Sequence, residues 1–232
     1  MPQDRKSEAD HIEIARAALL GAILPHVEFD GWGANALQFA ISDSGVDAGL
    51  AMQAAPRGAI DLAVAFHRTG DVDMVAGFQG TDITNLKYRE KVALLIRLRL
   101  QAAKSHPEAV RRAASLFALP QNMAEGSQLI WDTSDAIWNA LGDTSRDANW
   151  YTKRATLSAV YSTTVLYWLG DNSTDYADTW AFLDRRIENV MQFERVKSSV
   201  MKSPLGNGLG AIMERFSKPD STFKSNFPGY TR

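Results

Sequence analysis

GDTSRDANWYTKRATLSAVYSTTVLYWLGDNSTDYADTWAFLDRRIENVM, residues 142–191, decides the fold. Two polar turns, 142–148 and 170–175, each open an apolar segment. Asp147 is placed to cap the first helix and Asp175 the second, their oxygens taking free N–H groups of the opening turn. The first segment repeats apolar residues at Trp150, Tyr151, Leu157, Tyr161, Val165, Trp168 and Leu169. The second repeats them at Trp180, Leu183, Ile187, Val190 and Met191. Both follow the i, i+3, i+4, i+7 spacing of a one-faced helix. Two long helices joined by a short turn predict an antiparallel hairpin.

The rest of the 232-residue chain reads the same way. Residues 7–24 predict a helix capped by Ser7 and ended at Pro25, because the residue before proline avoids helical angles. Residues 33–42, a break at Ser44-Gly45 and residues 47–54 have the layout of a helix-turn-helix. This part resembles the DNA-binding region of TetR regulators. DNA chemistry is missing from it, however. Arg57 is the one cation between Gly31 and Gly58, set against Asp43 and Asp47. Phosphate backbones need cations to meet them, and Gln53 alone is a thin base reader. Further helices are predicted over 57–78, with a kink or split at Gly70-Asp71, over 85–105, over 107–119 and from Pro120 to Gly142. The helix over 85–105 carries Arg89, Lys91, Arg97, Arg99 and Lys104, either as an anion site or as side chains snorkelling from the rim of a bundle.

Trp131, Trp138, Trp150, Trp168 and Trp180 gather large rings in the second half. They form an aromatic core or wall a pocket for a long apolar ligand. After Pro204, the residues Leu205, Leu209, Ile212, Met213 and Phe216 keep one helical face, with Gly206, Gly208 and Gly210 between them. That segment fits an interfacial helix on a membrane, or a terminal helix docked on protein.

Composition excludes several classes. The formal charge is −2 and there is no cysteine, so disulfides and thiolate metal sites are ruled out. No apolar run approaches the roughly 20 residues that span a bilayer. The polar start points away from a signal peptide. Glu8-x-x-His11 is half of a di-iron motif, but no other histidine sits in a second Glu-x-x-His. No alternating strand pattern, nucleophile elbow or phosphate loop occurs.

Asn149-Trp150-Tyr151-Thr152-Lys153-Arg154 and Thr179-Trp180-x-Phe182-Leu183-x-Arg185-Arg186 resemble the lipid-binding accessory family of ubiquinone biosynthesis, the ninth Coq proteins. Leu24-Pro25-His26-Val27, Phe29-Asp30-Gly31-Trp32, Pro56-Arg57-Gly58 and Ala118-Leu119-Pro120-Gln121-Asn122 extend the match. Ala148 stands where related sequences usually have phenylalanine, and Arg146 where threonine is common.

The resemblance implies an all-α, TetR-like bundle of about nine to ten helices. Its expected divisions are a helix-turn-helix-like region over 1–58 that does not bind DNA, a lipid-binding and dimerising bundle over 59–202, and an amphipathic helix and tail over 203–232. It implies a non-catalytic protein without a cofactor that binds isoprenoid quinone intermediates and presents them to the di-iron demethoxyubiquinone hydroxylase. The implied setting is a homodimer peripheral on a membrane, and the polar start, which lacks a targeting pattern, points to the inner face of the cytoplasmic membrane. Partner binding falls on Asn149, Trp150, Tyr151 and Arg154. Lipid binding falls on Trp138, Tyr161, Val165, Trp168, Leu183 and Ile187. Membrane contact falls on Leu205, Leu209, Ile212, Met213 and Phe216. The alternatives are a TetR-type ligand-responsive regulator and a helical-bundle enzyme built on Glu8 and His11.

Overall fold

The structure, a computed structural model, describes residues 2–146 and 148–201, with side chains over 8–146 and 149–190. Among the described residues there are nine α-helices and no strand, as the periodicity predicts. They are α1 (Pro2–Asp30), α2 (Ala34–Ser44), α3 (Ala48–Ala54), α4 (Ala59–Gln79), α5 (Tyr88–Ala102), α6 (Pro107–Phe117), α7 (Met123–Ala140), α8 (Ala148–Trp168) and α9 (Ala177–Met201). A 3-10 turn, Thr174–Tyr176, precedes α9. The chain divides into two compact units, residues 1–187 and 188–232. The side chains of Ser7, Asp147 and Ala148, and the membrane-contact residues Leu205, Leu209, Ile212, Met213 and Phe216, lie outside the described residues.

Pro25 does not end the first helix; α1 runs through it, and begins ahead of Ser7. An interior proline costs about 3 kcal/mol, since one backbone hydrogen bond is lost. Leu19, Ile23 and Val27 are each fully buried on the same helix. At roughly 1.5–3 kcal/mol per buried side chain, their packing outweighs the proline. The chain turns instead at Gly31, whose φ of 68° is the left-handed region that favours glycine.

The helix-turn-helix forms where expected. Gly45, at φ 66°, closes α2, and the Asp47 carboxylate caps α3 by accepting from the N–H groups of Gly49 and Leu50 at 2.8 and 3.2 Å. Its core is built from small side chains: Ala36, Ala40, Ala51, Ala54, Ala59 and Ala63 pack around Leu19, Ile23 and Leu62. The Trp32 indole N–H donates to the Ala109 carbonyl at 3.0 Å, tying this lobe to α6. Arg57 makes a second tie, donating to both carboxylate oxygens of Glu125 on α7 at 2.9 Å. The outward face of α3 carries Ala48, Gly49, Met52 and Gln53, so it presents no cation.

Three local readings are corrected. Gly70-Asp71 neither kinks nor splits α4, which is continuous. Gly70 is buried there because Arg99 lies against it; a Cβ would fall 2.5 Å from the Arg99 Nη1. Helix α5 starts at Tyr88 rather than Asn85, and the Glu90 carboxylate accepts the Lys87 N–H at 2.8 Å. Asp175 does not cap the second helix of the hairpin. It sits at φ 51°, and Asp171 takes the work, accepting from the Thr179 N–H at 2.8 Å and the Ser173 N–H at 2.7 Å. Helices α8 and α9 meet beside the turn through stacked Tyr167 and Phe182, ring centres 4.5 Å apart. Early α9 also leans on α5, with the Arg97 guanidinium 3.2 Å from Asp184 and over the Trp180 ring.

Gly126 makes the α6–α7 contact close. A Cβ there would stand 2.6 Å from the Phe117 Cβ. Gly126→Ala is therefore expected to lower stability by about 1–3 kcal/mol through overpacking, despite alanine's better helix propensity. Urea unfolding checks this, and a stabilised variant would show that α6 moves aside freely.

Candidate functional site

An apolar cavity of about 290 Å³ lies among α4, α5, α6, α7 and α8. Leu100, Val110, Phe117, Leu129, Ile130 and Val165 are among the apolar residues of its wall. Of the residues expected to bind lipid, Tyr161, Val165 and Trp168 line it. Trp138, Leu183 and Ile187 are not in its lining. The Trp138 ring sits near Tyr88 and under the Lys153 ammonium instead. Leu183 and Ile187 are buried in the core of α9 packing. The helical periodicity identifies which residues turn inward, but not which inward residues border a gap and which border a neighbour.

His67 and Arg99 also reach the cavity wall, and neither stands out as a lining residue in the sequence. Arg99 is not a snorkelling rim residue: its side chain is only 6% exposed. Its Nε donates to Asp71 at 2.6 Å and its Nη2 to the His67 carbonyl at 2.9 Å. The Thr133 hydroxyl lies 2.9 Å from Asp71 and 2.9 Å from the His67 Nε2. With that hydroxyl donating to the carboxylate, His67 donates its Nε2 hydrogen to Thr133. Burial, reinforced by the Arg99 charge, pushes the His67 imidazole down to about 3. Burial pushes the Asp71 carboxyl up, against the pull of Arg99.

A pH dependence follows. His67 is neutral in the fold, while the unfolded chain takes a proton near 6.5. Its contribution is complete above pH 6.5 and is lost as pH falls toward 3, at up to about 1.4 kcal/mol per unit. Asp71, shifted upward, acts in the opposite sense. Urea unfolding at pH 7.5 and 5.0 should show a smaller loss on acidification in His67→Gln than in the parent. Equal losses would remove the histidine from this account.

The second feature is the corner where α7 passes to α8. Gly142, at φ 72°, ends α7, and the Asp143 N–H bonds back to the Trp138 carbonyl at 3.0 Å. That turn aims the Asp143 carboxylate at the start of α8. It accepts from the Lys153 ammonium at 2.7 Å, the Ser145 hydroxyl at 2.8 Å and the Arg154 Nη1 at 3.3 Å. The Lys153 hydrogen bond, opposed by burial, holds this carboxyl down at about 2. Arg154 also pairs with Asp135 on α7.

The Asn-Trp-Tyr-Thr-Lys-Arg signature thus divides between surface and anchor. Tyr151 is 65% exposed and Asn149 is exposed. Trp150 is half-buried, edge-on to Tyr151 at 4.7 Å, with Trp131 5.8 Å away. Arg154 was expected on the same surface, but its side chain is 1% exposed. Its guanidinium lies 3.9 Å from the centre of the Trp150 ring, holding the aromatic pair from beneath. Of the two carboxylates that complete the anchor, Asp143 has the sequence signal of following the helix-ending Gly142, and Asp135, inside α7, has none.

The fold and these two features define an all-helical protein of TetR-like architecture. In agreement, a TetR transcriptional regulator from Nitrosomonas europaea superposes with a TM-score of 0.62, at 18% identity, over 75% of this chain and 95% of that one. Residues 123–194, which hold α7, the anchored corner and α8, match the family model COQ9. The probable ubiquinone biosynthesis protein coq9 of Dictyostelium discoideum is 27% identical over 84% of this chain and 65% of its own. The ubiquinone biosynthesis protein COQ9 of Drosophila melanogaster is 28% identical over 85% of this chain and 61% of its own. That of Rattus norvegicus is 43% identical over 38% of this chain and 28% of its own. All three are named as mitochondrial proteins, and this chain spans less than two thirds of the length of each. The resemblance read from the signature is thereby shown: residues 123–194 are similar to COQ9 proteins, within a TetR-like fold. Among the described residues no helix is long and apolar enough to cross a membrane.

Proposed function

We propose that this chain is a non-catalytic accessory protein of ubiquinone biosynthesis. It holds an isoprenoid quinone intermediate in the cavity among α4–α8 at a membrane surface. It offers that intermediate to the di-iron demethoxyubiquinone hydroxylase, which docks on Trp150 and Tyr151. The observation that carries this reading is the apolar cavity of about 290 Å³, to whose lining the COQ9-like helices α7 and α8 contribute. Cavities of this size between bundle helices suit small apolar ligands with a few polar groups. The exposed Tyr151 beside Trp150 supports the docking surface, since aromatic residues dominate binding hot spots.

Native mass spectrometry of freshly purified protein, followed by organic extraction, tests the reading. Co-purified isoprenoid or phospholipid is the expected result. A protein that carries no lipid and binds neither isoprenoid quinone nor liposomes would overturn it. In a pull-down with the hydroxylase, Tyr151→Ala should weaken capture at least tenfold while leaving stability within about 0.5 kcal/mol, as for an exposed residue. The TetR-like regulator reading predicts salt-sensitive duplex binding, and the cation-free outer face of α3 speaks against it.

A further inference from the structure

Helix α1 carries two apolar stripes, and the core uses only one of them. Ala15, Leu19, Ile23 and Val27 are buried inside the helix-turn-helix lobe. A second series, His11, Ile14, Ala18, Ala22, Pro25 and Phe29, recurs every three or four residues. Residues so spaced are neighbours on one side of a helix. From His11 to Phe29 the line runs about 27 Å, at 1.5 Å per residue. No carboxylate, lysine or arginine falls on it. Ile14 is 66% exposed and Phe29 82% exposed. Neighbouring helices widen the band. Beside its first half, Ile14 and Ala18 join Val46 and Leu50 in lining a hollow of about 430 Å³ between α1 and α3. Beside its second half, the exposed Phe39 of α2 stacks on His26, ring centres 5.1 Å apart. Single apolar residues on a surface are ordinary, whereas a continuous band marks an interaction site.

We propose that this band on α1, α2 and α3 receives a basic amphipathic helix of a partner protein. It lies on other elements than the Trp150–Tyr151 corner and does not depend on the lipid reading of the cavity. Charge decides the occupant. From Glu8 to Gly58 the lobe carries seven carboxylates, two arginines and no lysine. Both arginines are engaged elsewhere. The Arg16 Nε donates to the Ala54 carbonyl at 2.8 Å, and Arg57 is clamped to Glu125. Both line a separate groove beside α1 and α4. Carboxylates border the band instead. Glu8 stands at the hollow, Asp47 caps the start of α3, and Asp43 accepts from the His26 Nε2 at 2.6 Å.

This acidic rim discriminates among the surfaces an apolar band could meet. A second copy of the chain, docked about a two-fold axis, would set carboxylates against carboxylates. An anionic bilayer or a nucleic acid would be repelled, since each is held by cations. A helix with an apolar stripe between lysines or arginines suits both features. Its apolar side chains enter the hollow between α1 and α3, and its cations meet the rim.

The probe is a fluorescein-labelled amphipathic helical peptide of about 14 leucines and lysines, roughly 21 Å long. Its counterpart carries glutamate at every lysine. Each is titrated with the full chain and read by anisotropy, at about 50 and 300 mM salt. The lysine peptide is expected to bind at least tenfold more tightly than the glutamate peptide, and less tightly at the higher salt. The double variant Ile14→Ser/Phe39→Ser should weaken it at least fivefold, with a thermal melt confirming the fold. Val72→Ser, which removes an exposed apolar side chain of α4, should leave it unchanged. Equal affinity for the two peptides, no binding of either, or a loss in Val72→Ser as large as in the double variant would overturn the proposal. Loss of self-association or of anionic-vesicle binding in the double variant, with peptide binding intact, would assign the band to a second copy or a lipid surface and overturn it as well.

Discussion

Arg99→Met is expected to cost about 3–5 kcal/mol of unfolding free energy, the range for a buried ion pair deprived of one partner. In a chain of this size that lowers the melting midpoint by roughly 10 °C. The reason is Asp71, whose side chain is 13% exposed and which would lose its 2.6 Å partner. Thr133 would be its main remaining support. The buried charge, rather than the missing attraction, makes the loss large. The double variant Asp71→Leu/Arg99→Met should therefore recover most of the single variant's loss, because both ionic groups leave together. Urea unfolding of the parent, the single variant and the double variant closes the cycle. A single variant costing under 1 kcal/mol, or a double variant less stable than the single, would show that packing and not charge holds this wall.

The second large effect is near the start of α8. Arg154→Met should lower stability by about 2–4 kcal/mol. The loss is smaller than for Arg99 because Asp143 keeps Lys153 and the Asp135 side chain is already 35% exposed. Arg154→Lys should rescue little of it. A lysine ammonium cannot lie flat over Trp150 while also reaching Asp135 and Asp143, as the planar guanidinium does. The functional consequence separates the two halves of the motif. Tyr151→Ala should impair hydroxylase capture without touching the melt, whereas Arg154→Met should impair both. Circular-dichroism melts and pull-downs on the same preparations read the two effects. Capture by Arg154→Met equal to the parent would sever the anchor from the docking surface.

The bundle was legible because helical periodicity reports burial directly, and glycine at a positive φ marks a helix end. Gly45 and Gly142 both behave in that way. Pro25 misled because proline's local cost is visible in sequence, whereas the compensating burial of Leu19, Ile23 and Val27 is a tertiary fact. Arg99 misled in the same direction. A basic residue on a helix reads as a surface group until a glycine on α4 and a carboxylate one residue later make room for it. For the cavity, half of the expected lining residues do line it: Tyr161, Val165 and Trp168. The rest of the wall comes from α4, α5, α6 and α7, whose residues meet only in three dimensions.

The capacity of the cavity sets what kind of carrier this protein could be. A space of about 290 Å³ accommodates a substituted ring and the first part of a tail, not a long polyprenyl chain. If a polyprenyl quinone is the cargo, most of its tail stays in the bilayer while the ring is lifted out. Every methylene left behind spares about 0.8 kcal/mol of extraction work. The protein would then act as a lever on a tethered load, raising one end of the molecule to the enzyme without ever releasing the other from the lipid.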